Sequence, residues 1–136
     1  MNIIETHGLR RTFKSRVGEV EAVAGVDLAV HEGEIFGFLG PNGAGKTTTL
    51  RLLGTLLTPT GGEATVAGFD LRRQSAKVRE RIGFVGQSGG TDGQVTGRAE
   101  LIFQARLYGL SAAEAAARST ELLDLMELES AADRQV

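Results

Sequence analysis

Hydrophobic and polar positions change rhythm several times along this chain. From Asn2 to Phe13 the apolar residues Ile3, Leu9 and Phe13 fall unevenly among polar neighbours, which predicts a first strand running into a turn. Beyond a loop read over Lys14-Ser15-Arg16-Val17-Gly18-Glu19, the stretches Val20–Val23 and Val26–Val30 alternate with period two. That pattern belongs to a half-exposed antiparallel sheet. His31-Glu32-Gly33 then turns into Ile35-Phe36-Gly37-Phe38-Leu39, apolar without alternation, as expected of a strand buried on both faces in a parallel sheet. A glycine-rich loop and a helix-like run, Thr48-Thr49-Leu50-Arg51-Leu52-Leu53, come next.

The breaker cluster Leu56-Leu57-Thr58-Pro59-Thr60-Gly61-Gly62 ends that helix, and Glu63–Ala67 reads as a short strand closing at Gly68. Ser75 to Arg81 has the charge of a short exposed helix. Ile82-Gly83-Phe84-Val85 reads as another brief buried strand, followed by a loop from Gly86 to Gly93. From Thr96 the period becomes helical: Leu101, Ile102, Ala105 and Tyr108 share a face, and Gly109 stops the run. Ser111-Ala112-Ala113-Glu114 has capping-box spacing and opens a second helix to about Leu128, with Ala115, Leu122, Leu125 and Met126 as its expected core stripe. Residues Ala131 to Val136 show no closing element.

Composition narrows the picture modestly. At 136 residues the chain is of one-domain size. Fifteen Lys and Arg against 17 Asp and Glu give a formal net charge of -2, so no global basic excess points to nucleic acid, and any anion site has to be local. The absence of cysteine excludes disulfides and thiolate metal sites. The N-terminus lacks a secretory pattern, and no run of about 18 apolar residues occurs, so the chain is expected to be soluble and unexported.

The chemistry concentrates at Gly40-Pro41-Asn42-Gly43-Ala44-Gly45-Lys46-Thr47, which satisfies G-x-x-x-x-G-K-[ST] between an apolar strand pattern and a helix pattern. Glycines at 40, 43 and 45 permit backbone angles through which successive N–H groups turn inward around phosphate oxygens. Lys46 adds a point charge for the β- and γ-phosphates. Thr47 supplies a hydroxyl for Mg²⁺, and the helix that follows aims its positive end at the same anion. Nucleotide phosphate binding is the reading that these residues carry; a glycine-rich turn with an incidental lysine is the bland alternative.

Gly40 to Thr48 together with Ile82-Gly83-Phe84-Val85-Gly86-Gln87 resembles the nucleotide-binding subunit of ABC transporters, and the whole chain fits the first half of that domain. The resemblance implies an α/β fold, a P-loop NTPase core of ABC type with an N-terminal antiparallel β-subdomain and part of an α-helical subdomain. It assigns residues 1–33 and 63–67 to the β-subdomain, 34–57 and 82–87 to the core, and 96–130 to the helical part. The implied ligands are ATP and Mg²⁺, held by Gly40, Pro41, Asn42, Gly43, Ala44, Gly45, Lys46, Thr47 and Thr48. Gln87, about forty residues past Lys46, stands where the family has its Q-loop glutamine, whose amide serves Mg²⁺ or the attacking water. Gly86 replaces the proline usual before it. Lys46 and Gln87 are thus the implied catalytic residues, and Thr47 and Gln87 the implied Mg²⁺ ligands; a surface-loop glutamine is the alternative for Gln87 from loop composition alone. Phe13 matches the aromatic that stacks on adenine, where tyrosine is more usual, with Val20 and Ala22 as a conceivable second wall; core filling is the alternative for Phe13.

Arg106-Leu107-Tyr108-Gly109-Leu110-Ser111 looks like the ATP-binding subunits of the daunorubicin-resistance type, exporters of drugs, polyketides or lipids. Such a subunit would pair with a second ATP-binding subunit and, through the Q-loop and helical subdomain, with a transmembrane permease on the cytoplasmic face of the membrane. The family's Asp-Glu strand, Leu-Ser-Gly-Gly-like signature and later histidine are not among these residues, and His7 and His31 lie far upstream. The expectation is therefore a truncated subunit that binds nucleotide without turning it over, since losing a general base costs about 10²- to 10⁴-fold in rate. Another ABC-type ATPase, from repair or translation, a non-hydrolysing nucleotide-binding module, or a kinase stays open; no Asn-Lys-x-Asp string supports a GTPase.

Overall fold

The structure is a computed structural model that describes residues 1–86 and 94–135. The chain divides into two compact units, Met1–Val85 and Gly86–Val136.

The first unit is built on a four-stranded antiparallel sheet of order β2-β1-β3-β4: β1 is Asn2–Ser15, β2 Gly18–His31, β3 Gly61–Val66 and β4 Phe69–Asp70. The loop expected over residues 14–19 shrinks to Arg16 and Val17, because Ser15 pairs with Gly18 and the ladder holds Lys14 opposite Glu19, with Nζ 3.1 Å from Oε1. Val20–Val23 and Val26–Val30 belong to one strand for the same reason. An interruption in register at Gly8 lets Leu9 point inward, and Gly62, at φ 75°, lies so close to the Gly8 carbonyl that a side chain there has no room. Leu9, Val23, Ala64 and Val66 form the sheet's share of the core. Leu52 and Leu53 of α1 (Lys46–Leu53), Leu71, and Val78 of α2 (Ser75–Arg79) complete it. Each large side chain so buried contributes about 1.5–3 kcal/mol.

The two continuous apolar stretches do not become the doubly buried strands expected of them. Residues 34–40 and 82–86 carry no regular secondary structure. Ile35 is 100% exposed, Leu39 97% and Val85 96%, whereas Phe38 and Ile82 pack on the core. Phe36 meets Phe38 edge to face, centroids 5.4 Å apart. A strand of a parallel sheet needs a hydrogen-bonded neighbour and cover on both faces. Among the described residues these stretches have cover on one side and no paired strand.

The second unit contains α3 (Gly97–Leu107), α4 (Ala112–Leu125) and a 3₁₀ turn at Glu129–Ala131. Thr96 caps α3, its hydroxyl accepting from the Ala99 N–H at 3.2 Å. Ser111 and Glu114 form the expected capping box, the Ser111 N–H donating to Glu114 Oε2 at 2.8 Å and the Glu114 N–H to Ser111 Oγ at 3.3 Å. The core stripe of α4 differs from expectation: Ala115, Ser119 and Leu123 are buried, while Leu125 and Met126 are exposed. The helix ends at Leu125, so neither residue lies under a continued turn. On α3, Leu101, Ile102 and Ala105 are half-buried and Tyr108, past the helix end, is exposed.

Nor do the last described residues run free. Thr96 bridges to Gln135, the Gly97 and Arg98 N–H groups donate to the carbonyls of Arg134 and Ala132, and the Arg98 guanidinium holds Asp133 at 3.1 Å and Glu129 at 3.2 Å. Hydrogen bonds to Asp133 and then Glu129 raise the Arg98 pKa further. Polar residues make this closure, which is why an apolar periodicity did not reveal it.

Candidate nucleotide site

The loop from Gly40 to Gly45 reaches α1 through left-handed backbone at Gly43 and Gly45, both at φ 86°. Gly45 is the N-cap of α1 and has no side chain with which to cap it. The N–H groups of Lys46, Thr47 and Thr48 therefore open the helix with neither an intrahelical acceptor nor, among the described residues, a side-chain one. Only glycine fits position 45, because a Cβ would run into the Ala22 carbonyl oxygen.

That contact ties the loop to a bulge. Arg11 pairs with Val23 and Thr12 with Glu21, leaving Ala22 as the extra residue of β2 beside Gly45. The next residue on β1, Phe13, pairs with Val20. Val20 and Ala22 are two residue rises apart, about 7 Å along the strand. Phe13 is 37% exposed and stands outside the core cluster. Val20, its cross-strand partner, is exposed, and Ala22 is half-buried.

Lys46 lies over the loop, its ammonium donating to the carbonyls of Gly40 at 2.6 Å and Pro41 at 2.7 Å. An ammonium has three hydrogens, so one donor remains. No carboxylate pairs with Lys46 among the described residues. The three consecutive threonines are not equivalent. Thr49 is buried and returns its hydroxyl to the Gly45 carbonyl at 3.0 Å, whereas Thr47 is exposed and its hydroxyl has no protein partner among the described residues. Asn42 and Ala44 are exposed loop residues, the Ala44 N–H donating to Pro41 at 3.3 Å.

The arrangement fits a polyphosphate: a left-handed glycine backbone, three uncapped amides, a spare ammonium hydrogen and a free hydroxyl gather at one end of α1. It fits Mg²⁺ as well, since that ion takes one or two protein oxygens and fills its remaining positions with phosphate and water. Gln87, expected to approach the same ion, lies outside the described residues. The feature that sequence reasoning missed is Arg11, whose guanidinium sits over the Phe13 ring, 4.6 Å from its centroid. Spacing i, i+2 on a strand was the signal that could have shown it.

The sequence matches the family model described as ABC transporter over residues 23–136. The chain belongs to the ABC transporter family. Among curated ABC relatives, daunorubicin resistance ATP-binding protein DrrA2 of Streptomyces coeruleorubidus is 50% identical over 124 residues, which are 91% of this chain and 38% of that protein. Daunorubicin/doxorubicin resistance ATP-binding protein DrrA of Streptomyces peucetius is 45% identical over 131 residues, 96% of this chain and 38% of that protein. The chain thus spans 38% of the length of each of these two relatives. Among solved structures, the dimeric ATP-binding cassette MJ0796, in a post-hydrolysis state with ADP and Pi, matches with a TM-score of 0.85 at 26% identity, over 97% of this chain and 61% of that one. The fold is that of an ABC ATPase cassette.

Proposed function

We propose that this chain grips the triphosphate of ATP through residues 40–48, with Lys46 on the β- and γ-phosphates, Thr47 on Mg²⁺ and the adenine on Phe13. The single observation supporting this most strongly is the uncapped start of α1, where the amides of Lys46, Thr47 and Thr48 and the spare Lys46 hydrogen have no acceptor among the described residues. Mg²⁺ held at Thr47 would neutralise charge on the β- and γ-phosphates. Gln87 is assigned the γ-phosphate side of that ion by resemblance.

In the complete protein the reading is an ATPase subunit of an exporter of drugs or other hydrophobic small molecules, hydrolysing ATP in company with a second ATP-binding subunit and a transmembrane permease. No described helix is long and apolar enough to cross a membrane; such a subunit would sit on the cytoplasmic face, held there by the permease. A narrower reading covers residues 1–136 alone: they bind nucleotide without turnover, since the family's Asp-Glu strand, which would supply the general base, is not among these residues.

Calorimetry tests the grip. Mg-ATP and inorganic tripolyphosphate should both bind the chain, and Lys46→Ala should weaken both by at least about tenfold, the scale of a hydrogen bond to a charged group. A Lys46→Ala chain that bound either probe as well as the parent would remove the loop from the account.

A further inference from the structure

Arg11 and Phe13 leave the same face of β1, and the guanidinium lies 4.6 Å from the ring centroid, within cation–π range. The arginine is held there from one end. Its Nη1 donates to the Thr58 carbonyl at 2.6 Å, while its Nε is buried with no hydrogen-bond partner. No carboxylate pairs with it among the described residues, so the ring is its counterpart. Leaving an N–H unpaired in a buried position is costly, and the position persists because the strand and the Thr58 carbonyl hold the side chain against the ring.

The surrounding backbone is stitched at several points. The Thr12 N–H donates to Thr60 Oγ1 at 3.0 Å, and the Thr60 N–H donates to the Arg10 carbonyl at 2.9 Å. Residues 58–60 follow α1, the helix that begins in the phosphate loop, so the segment fixing Arg11 also leads back to the phosphate site. A phenyl ring in a strand end would otherwise be free to reorient about two side-chain torsions. With a cation laid on it, the ring has one face covered while the residue stays 37% exposed.

We propose that Arg11 is a positioning residue for the base: it covers one face of Phe13 and fixes the ring, so that the purine stacks on the opposite face. The inference rests on the base-binding role proposed for Phe13. It assigns Arg11 to the base rather than to the phosphates, although a cation near a triphosphate would ordinarily be given to the anion. The distinction is measurable.

Arg11→Gln keeps a donor for the Thr58 carbonyl and removes the charge, and Arg11→Lys keeps the charge. Calorimetry of the purified chain with Mg-ATP, using inorganic tripolyphosphate as the base-free probe, should show Arg11→Gln weakening ATP about two- to fivefold, the range of an exposed cation–π contact, with tripolyphosphate unchanged. Arg11→Lys should restore most of the lost ATP affinity. In a Phe13→Ala background Arg11→Gln should cost nothing further, which separates positioning of the ring from a general effect on the fold. Equal losses for ATP and tripolyphosphate, additive losses in the double variant, or ATP binding unchanged or tightened by Arg11→Gln would each overturn the proposal. If Phe13→Ala alone leaves ATP affinity intact, the base platform fails as well, whereas loss of both probes on Lys46→Ala reports on the phosphate grip independently.

Discussion

The β1–β2 hairpin and the stretch that leads into the phosphate loop lean on the same cluster around Leu9 and Leu52, and they differ in how many of their surfaces are met. β1 has a hydrogen-bonded strand on either side, and the inward side chains of the hairpin, such as Leu9 and Val23, are buried. On the face opposite buried Thr6, β1 carries polar side chains such as Glu5 and His7. Residues 34–39 place Phe38 on the core and leave Ile35 and Leu39 bare, with no ladder on either edge among the described residues. The contrast teaches that an alternating sequence carries its own solution, because one face is written for water and its pairing partner is the next strand along the chain. A continuous apolar sequence states a requirement for company on two faces and two edges.

The largest effect should come from breaking the satisfied side. Leu9→Ala deletes a fully buried side chain at the junction of β1 with β2 and β3, and should cost about 2–5 kcal/mol in a denaturant unfolding titration. A loss below about 1 kcal/mol would mean that the hairpin is not the stable part of this unit.

Substituting the unsatisfied side should do far less to folding. Ile35→Ser with Val85→Ser alters two side chains already in water, so the unfolding midpoint should correspond to a change within about 0.5 kcal/mol per site. Light scattering should fall at the same time, because bare apolar surface favours association. A large destabilisation would show that these side chains are covered in solution, and the contrast between the two regions would dissolve.

The smallest effect lies in α4, whose first turn carries the capping box. Hydrogen bonding with the Ser111 hydroxyl and then the Ser111 N–H lowers the Glu114 pKa below the usual glutamate range. A lowered folded-state pKa means that the carboxylate's contribution is complete above the unfolded pKa and disappears as pH falls through the folded one. Acid should therefore loosen the second unit slightly, and Glu114→Gln should flatten that part of the pH dependence in circular dichroism at the helix band. An unchanged acid limb in Glu114→Gln would assign the dependence elsewhere, for instance to Asp70, whose carboxylate the Arg73 and Arg72 N–H groups also hold low.

How legible the molecule was from its residues follows the same division. The phosphate loop could be read because each of its positions has a local reason: Gly45 cannot carry a side chain beside Ala22, and Lys46 arches over its own loop. The capping box at Ser111 and Glu114 could be read because both partners are four positions apart or fewer. What escaped depends on distant or polar partners. Arg11 reaches the Thr58 carbonyl, and the Arg98 clasp on Glu129 and Asp133 joins residues more than thirty positions apart through charges that carry no periodicity. Leu125 and Met126 continued a helical stripe by spacing, yet the helix stops before the stripe is used. Ile35 to Leu39 reads as a buried strand because it is apolar without alternation, a pattern that records what such a strand needs and not what the described residues supply.

In the function proposed above, the uncapped amides at the start of α1 hold the phosphates. Amide nitrogen–proton correlation spectra of the chain, titrated with Mg-ATP and then with inorganic tripolyphosphate, test it residue by residue. Both probes should move the resonances of Gly43, Gly45, Lys46, Thr47 and Thr48 together, and only ATP should move those around Phe13. Shifts confined to other residues, or none in this loop at saturating nucleotide, would contradict that proposal.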